Sequence, residues 1–313
     1  MTRLPLSPVR AGELVEAFLT WLTVEKGRAS NTIISYRRDL MAYELWLAEH
    51  KLKVLTVKAR HLDDLIDERR NSGEAAASTA RLLAAVRMFH GYLLSEDVRT
   101  DDPTALLEGV RVPLGIPHPL SEKEIQDLLG AVVGESANAL RDRALLEFLY
   151  ATGARISEVC GLNIDDLDLN NSMVRLFGKG SKERLVPFGK IAAEALRDYL
   201  QRDGRQSLAP EVWRSSSDRD AVFLTNRGLR MNRQKAFEIV RLAGVRAGIS
   251  RQLSPHVMRH TCATHMLEHG ADLRIVQEML GHATISTTQV YTRVSPELLF
   301  QVYKKSHPRS RAT

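Results

Sequence analysis

The residues best suited to chemistry lie in the second half of the chain, and their types point to a phosphate. Ser254-Pro255 opens a helix, with serine as N-cap and proline at the first helical position, and sets His256 and Arg259 three apart on one face near its positive end. Such a pair can grip a phosphate, the arginine as a planar two-point donor and the histidine as a further donor. Arg155 lies in Ala151-Thr152-Gly153-Ala154-Arg155-Ile156-Ser157-Glu158, where Gly153 ends one helix, Arg155 begins the next, and Glu158 is one turn on, placed to orient an arginine. Lys179 stands between Gly178 and Gly180, where the backbone can turn tightly and a flexible lysine can reach and protonate a leaving oxygen; Lys182 is its rival for that role. His282 follows Leu280-Gly281, and Tyr291 comes nine residues later in Ser286-Thr287-Thr288-Gln289-Val290-Tyr291-Thr292. Each of these has a plain alternative when taken alone: a surface salt bridge, a solvated turn, or a tyrosine packed in a helix core with its hydroxyl satisfied.

The elements that must carry these residues are mostly helical. In the first third, Leu14, Phe18, Trp21 and Leu22 recur at helical spacing until Gly27; a second helix starts near Ser30 or Asn31 and carries Ile33, Tyr36, Leu40 and Leu47. A short third spans His61 to Arg70, and a fourth runs from about Ser78 to Ser95, which together predict a four-helix unit. Pro103, Pro113, Gly115, Pro117 and Pro119 then break the periodicity, and Ser121-Glu122-Lys123-Glu124 is a capping box that opens a new helix. The expected division is an N-terminal helical domain over 1–112, a linker over 113–120 and a second domain over 121–313. In the second domain Met173 to Phe177 and Arg184 to Phe188 read as strands joined by a hairpin at Gly178-Lys179-Gly180-Ser181-Lys182. Helices are predicted at 190–202, 232–247, 255–269, 272–280 and 284–291, and residues 207–220, with Trp213, as a variable loop.

Charge is unevenly placed. Residues 1–116 carry 16 basic and 16 acidic side chains, and residues 117–313 carry 28 and 22, so the formal excess of +6 falls in the second domain. From Arg227 to Arg251 the basic residues Arg227, Arg230, Arg233, Lys235, Arg241, Arg246 and Arg251 face a lone Glu238, a pattern that suits a polyanion. No apolar run approaches the roughly 20 residues of a membrane span, and Met1 to Arg10 lack the apolar core of a signal peptide, so a cytoplasmic chain is expected. Cys160 and Cys262 are too few for a disulfide framework and read as buried small hydrophobes.

The ordered set Arg155, Lys179, His256-x-x-Arg259, His282 and Tyr291 resembles the signature of the tyrosine recombinases, the lambda-integrase family. Leu253-Ser254-Pro255-His256-Val257-Met258-Arg259-His260, Leu280-Gly281-His282 and Thr287-Thr288-Gln289-Val290-Tyr291-Thr292 carry the likeness. Ala80-Arg81-Leu82-Leu83-Ala84-Ala85-Val86-Arg87 and Asp101-Asp102-Pro103-Thr104-Ala105 are similar to the XerD subgroup of the bacterial Xer chromosome-dimer resolvases. The resemblance implies a mainly α fold: a four-helix, SAM-like core-binding domain followed by a mostly helical catalytic domain with a small β-sheet. It implies Tyr291 as nucleophile, forming a 3′-phosphotyrosyl link, with Arg155, Arg259 and His256 neutralising charge on the phosphate, Lys179 protonating the 5′-oxygen, His282 positioning the phosphate and Glu158 supporting the site. His256 is also a candidate acceptor for the Tyr291 proton. No cofactor is implied: rejoining conserves the ester bond energy, there is no GxxxxGK[ST] loop, and no carboxylate cluster suits a two-metal nuclease. The partners implied are double-stranded DNA with a dif-like site, clamped between the two domains, a XerC-like recombinase in a heterotetramer of two of each, and a septal DNA translocase. Residues from Pro296 on, with Leu298, Leu299, Val302 and Tyr303, are expected to dock on a neighbouring protomer, or else on their own domain.

Three other readings compete. A non-catalytic architectural DNA-binding protein explains the basic segment but not the ordered set. A zinc site from His256, His260, His265 and His269 has workable spacing, yet HExxH is absent and Arg259 places a cation beside the metal. A topoisomerase of the same chemistry, a phage integrase or a transposon recombinase shares the residues, while the compact N-terminal unit favours Xer.

Overall fold

In the computed structural model, which describes residues 12–110, 119–178, 183–201, 203–281 and 295–310, the chain divides into two units, Met1–Gly115 and Ile116–Thr313. The first unit is four helices: α1 (Glu13–Val24), α2 (Ser30–Glu49), α3 (Ala59–Asn71) and α4 (Ala76–Ser95). They form because apolar residues recur at three- and four-residue intervals, and those residues make the core: Val15, Phe18 and Leu22 of α1, Leu40 and Tyr43 of α2, Leu62 and Leu65 of α3, and Leu82, Val86 and Phe89 of α4 are all buried.

The second unit is built around α6 (Ala137–Thr152), whose residues are buried on nearly every side. The chain enters it through α5 (Glu122–Gly130), and the predicted capping box is present: Ser121 Oγ accepts from Glu124 N at 3.2 Å, and Ser121 N donates back to Glu124 Oε2 at 2.8 Å. After α6 come α7 (Ile156–Gly161), a 3-10 turn at Ile164–Asp166, and a sheet of three antiparallel strands in the order β1 (Leu167–Asp168), β2 (Met173–Phe177), β3 (Glu183–Pro187). The hairpin was expected; the short β1 was not. Register pairs Val174 with Val186 and Leu176 with Arg184, so Arg184 lies on the face that buries Val174, Leu176 and Val186.

Helix α8 (Lys190–Gln201) packs on α6. Of two short helices, α9 (Arg205–Leu208) runs into the stretch 207–220 expected as a variable loop, and α10 (Ser216–Asp220) lies within it. Then follow α11 (Arg233–Arg246), α12 (Pro255–Glu268), α13 (Leu273–Leu280) and α14 (Pro296–Ser306). The helix expected over 284–291 lies outside the described residues.

In this chain α14 is seated on its own domain, against β3, α12 and α13. Tyr303 is buried and its hydroxyl accepts from Gly189 N at 2.9 Å; His307 is buried, stacks on Tyr303 and bonds Tyr150 O through Nε2 at 3.2 Å. Arg309 closes the contact with an ion pair to the buried Glu147. Leu299 joins the core, while Leu298 remains exposed.

Candidate active site

The end of α13 gathers the site. Gly281 stops the helix in a left-handed conformation (φ +67°), and the last carbonyls of a helix have no partner within it. Three arginines from three elements cap them in succession. Arg184 Nε donates to Met279 O at 2.8 Å, Arg259 to Leu280 O at 2.7 Å and Arg155 to Gly281 O at 2.7 Å. The partial negative charge of the helix terminus favours this gathering of cations. Arg259 also donates to Gly153 O at 2.6 Å, so one guanidinium joins the ends of α6 and α13.

Gly153 makes that junction. Its φ is +57°, and a Cβ there would lie 2.6 Å from Leu280 Cδ2 and 3.2 Å from Cys262 Sγ. Only a glycine combines this backbone with this closeness. The next turn sets Arg155 as N-cap of α7, with its backbone N–H bonded to Glu158 Oε2 at 2.8 Å and its side chain to Glu158 Oε1 at 3.0 Å. Glu158 is buried and takes two further bonds from Arg184, both 2.8 Å. Burial alone would raise its carboxyl pKa; the hydrogen bonds and charge of Arg184, and then those of Arg155, outweigh burial and hold it below the usual range. Burial, followed by repulsion from Arg155, brings Arg259 down to about 10, so it stays charged at neutral pH. Three guanidinium groups therefore face one carboxylate, and the surplus positive charge suits a bound anion.

His256 sits at the start of α12, exposed, one turn before the buried Arg259. Ser254 Oγ caps that helix by accepting from Val257 N at 3.3 Å, as its sequence predicts. His265, by contrast, has both ring nitrogens engaged, with Tyr150 Oη and with Leu120 O, both at 2.8 Å, so it is a packing residue with no nitrogen left for a metal. Lys179, His282 and Tyr291 lie outside the described residues. Their neighbours are placed: β2 ends at Phe177 and β3 begins at Glu183, bracketing Lys179, and Gly281, which holds Arg155, precedes His282. The structure thus brings Arg155, Glu158 and Arg259 together and adds Arg184, which the sequence reading missed. Strand alternation was the available signal, since Arg184 shares the parity of Val186 and Phe188.

The basic segment divides into two kinds of residue. Arg227, Arg233 and Arg241 are exposed, and Lys235 pairs with Glu238 at 3.1 Å. Arg241 lines an open cleft with Gln234, Phe237, Gln252 and Ser254, leading from α11 to the start of α12. Arg230 is held differently. Its guanidinium donates to Cys160 O, Leu162 O, Asn163 Oδ1 and Ser217 O at 2.5–3.2 Å, which makes it a clamp within the domain.

Residues 119–297 match the phage integrase family, and residues 15–97 match the N-terminal SAM-like domain of phage integrases. Over 304 residues the chain is 44% identical to the tyrosine recombinase XerD of Bifidobacterium longum, covering 95% of this chain and 98% of that one. The XerD of Yersinia pestis is 44% identical over 298 residues, with the same coverage. The chain belongs to the phage integrase family as a XerD-like tyrosine recombinase. It is therefore an enzyme, a site-specific DNA recombinase. Solved structures support the fold of this recombinase: XerH bound to a palindromic difH substrate matches with a TM-score of 0.66 at 20% identity, covering 93% of this chain and 80% of that one. A lambda integrase tetramer bound to a Holliday junction matches at 0.69 and 14% identity, covering 90% and 79%. The four-helix first unit and the mostly helical second unit with its small sheet agree with the expected fold class.

Proposed function

We propose that the recombinase cleaves one DNA strand by attack of the Tyr291 phenol on the scissile phosphorus, and that it resolves chromosome dimers at a dif-like site. Attack forms the 3′-phosphotyrosyl ester and breaks the bond to the 5′-oxygen, which leaves as a hydroxyl after taking a proton from Lys179. Charge builds on the non-bridging oxygens during attack, and Arg155 and Arg259 neutralise it, with His256 and His282 as further donors. Glu158 holds Arg155. Donors fixed in advance toward developing charge are ordinarily the largest catalytic contribution. His256 takes the Tyr291 proton. Rejoining runs the same steps backward from a new 5′-hydroxyl, so each strand exchange conserves the number of phosphodiesters.

What carries this reading is the convergence of Arg155 and Arg259 on the terminal carbonyls of α13, one residue before His282. Arg227, Arg233, Lys235 and Arg241 bind the phosphate backbone of the site. The partners are a XerC-like recombinase, two of each protein on two sites, and a septal DNA translocase, and the compartment is the cytoplasm. Among the described residues no helix is long and apolar enough to cross a membrane. The test is trapping on a nicked dif-like duplex, whose short 5′ product diffuses away. Wild type should give a protein–DNA adduct that survives denaturant, and Tyr291→Phe should give none; an adduct formed by Tyr291→Phe would overturn the assignment.

A further inference from the structure

Arg184 does something that neither the chemistry above nor its strand position requires. It is a charged side chain on the inner face of a sheet, about 10% exposed, between Leu176 across the hairpin and the end of α13. All three of its guanidinium nitrogens are engaged: one on Met279 O and two on the two oxygens of Glu158. Arg155 meets the same carboxylate with one side-chain nitrogen only and turns a second to Gly281 O. Arg155 is about 38% exposed, and so remains open to an anion.

The two arginines compete for one buried carboxylate. A buried carboxylate left with a single arginine draws it into a two-point pair, because that geometry satisfies both oxygens and no water compensates. With Arg184 present, both oxygens are already satisfied, and Arg155 gives the carboxylate one side-chain nitrogen while its other terminal nitrogen goes to Gly281 O. We propose that Arg184 is a positioning residue for strand cleavage: it occupies Glu158 so that Arg155 stays turned toward the scissile phosphate. It also ties β3, which follows Lys179 in the chain, to the carbonyl two residues before Gly281, so the strand after Lys179 and the helix end before His282 share one anchor. This inference rests on the proposed role of Arg155 in neutralising the phosphate.

Single-turnover cleavage of the nicked duplex tests it, with either an ordinary scissile phosphate or a methylphosphonate that carries no charge for Arg155 to neutralise. Arg184→Met should bind the duplex as wild type does and cleave the ordinary substrate more slowly, on the order of 10²-fold for a misplaced group. Most of that loss should vanish on the methylphosphonate. Adding Glu158→Gln should recover part of the rate, since a neutral amide no longer captures Arg155. Arg184→Lys, which keeps a cation beside Glu158, should lose less than Arg184→Met and decides the comparison if the methionine variant does not fold. Equal losses on both substrates, no loss at all, or a further loss on adding Glu158→Gln would each overturn the proposal. Failure of wild type to form any adduct strikes the proposed function instead, and this inference falls with it; a wild-type adduct with an indifferent Arg184 strikes this inference alone.

Discussion

Arg155 and Arg259 are positioned by carbonyl oxygens and a shared carboxylate, and they differ in what they leave free. Arg259 is buried and joins two helix ends, whereas Arg155 is anchored along one edge and otherwise open. Replacing Arg155 with alanine should therefore spare folding and lower the cleavage rate by roughly 10²–10³, the usual consequence of losing one preorganised donor. Arg259→Ala should do both, lowering the rate and the unfolding temperature, because Gly153 O and Leu280 O lose a buried donor; thermal melts beside single-turnover rates separate the two. Gly153→Ala should destabilise by more than the roughly 1–2 kcal/mol of a left-handed non-glycine residue, since its methyl would also meet Leu280 Cδ2 at 2.6 Å. A melt unchanged from wild type would refute that.

The elements that hold these residues are largely legible in the sequence. The caps at Ser121 and Ser254, the turn at Gly153 and the paired strands follow from local rules that need only neighbouring residues. Arg184 was not legible, because its meaning depends on Met279, 95 residues away, and on Glu158, 26 away. The bonds of Arg230 were hidden for the same reason: a basic run predicts a polyanion contact, and only the fold shows that this member also bonds backbone carbonyls. For the tail, apolar residues at helical spacing show that a helix will pack, but not on what; within this chain it packs on its own domain. Its docking carries a pH dependence. Burial, chiefly, pushes His307 down to about 3, below the roughly 6.5 of an unfolded histidine. The docked form thus binds fewer protons, and its stability is fully present above about pH 6.5 and declines as pH falls toward 3, by roughly 1.4 kcal/mol per unit. Hydrogen exchange over residues 296–310 should lose protection below pH 6.5 in wild type, and His307→Gln should flatten that dependence.

For the whole recombinase, the excess positive charge of the second unit predicts DNA affinity that falls steeply with salt. Arg241→Ala should reduce the slope of log K against log salt by about 0.9, the amount for one lost phosphate contact. Arg230→Ala should leave that slope alone and instead lower stability, by roughly 1–3 kcal/mol for the carbonyls it orphans. Anisotropy titrations with paired melts distinguish these outcomes. Tyr291 as the attacking group is tested most directly by peptide mapping of the trapped adduct by mass spectrometry. The expected product is a single peptide containing Tyr291, joined through its phenol to the 3′-phosphate of the cleaved strand. A link at another residue, or to the 5′ end of the cut, would contradict it.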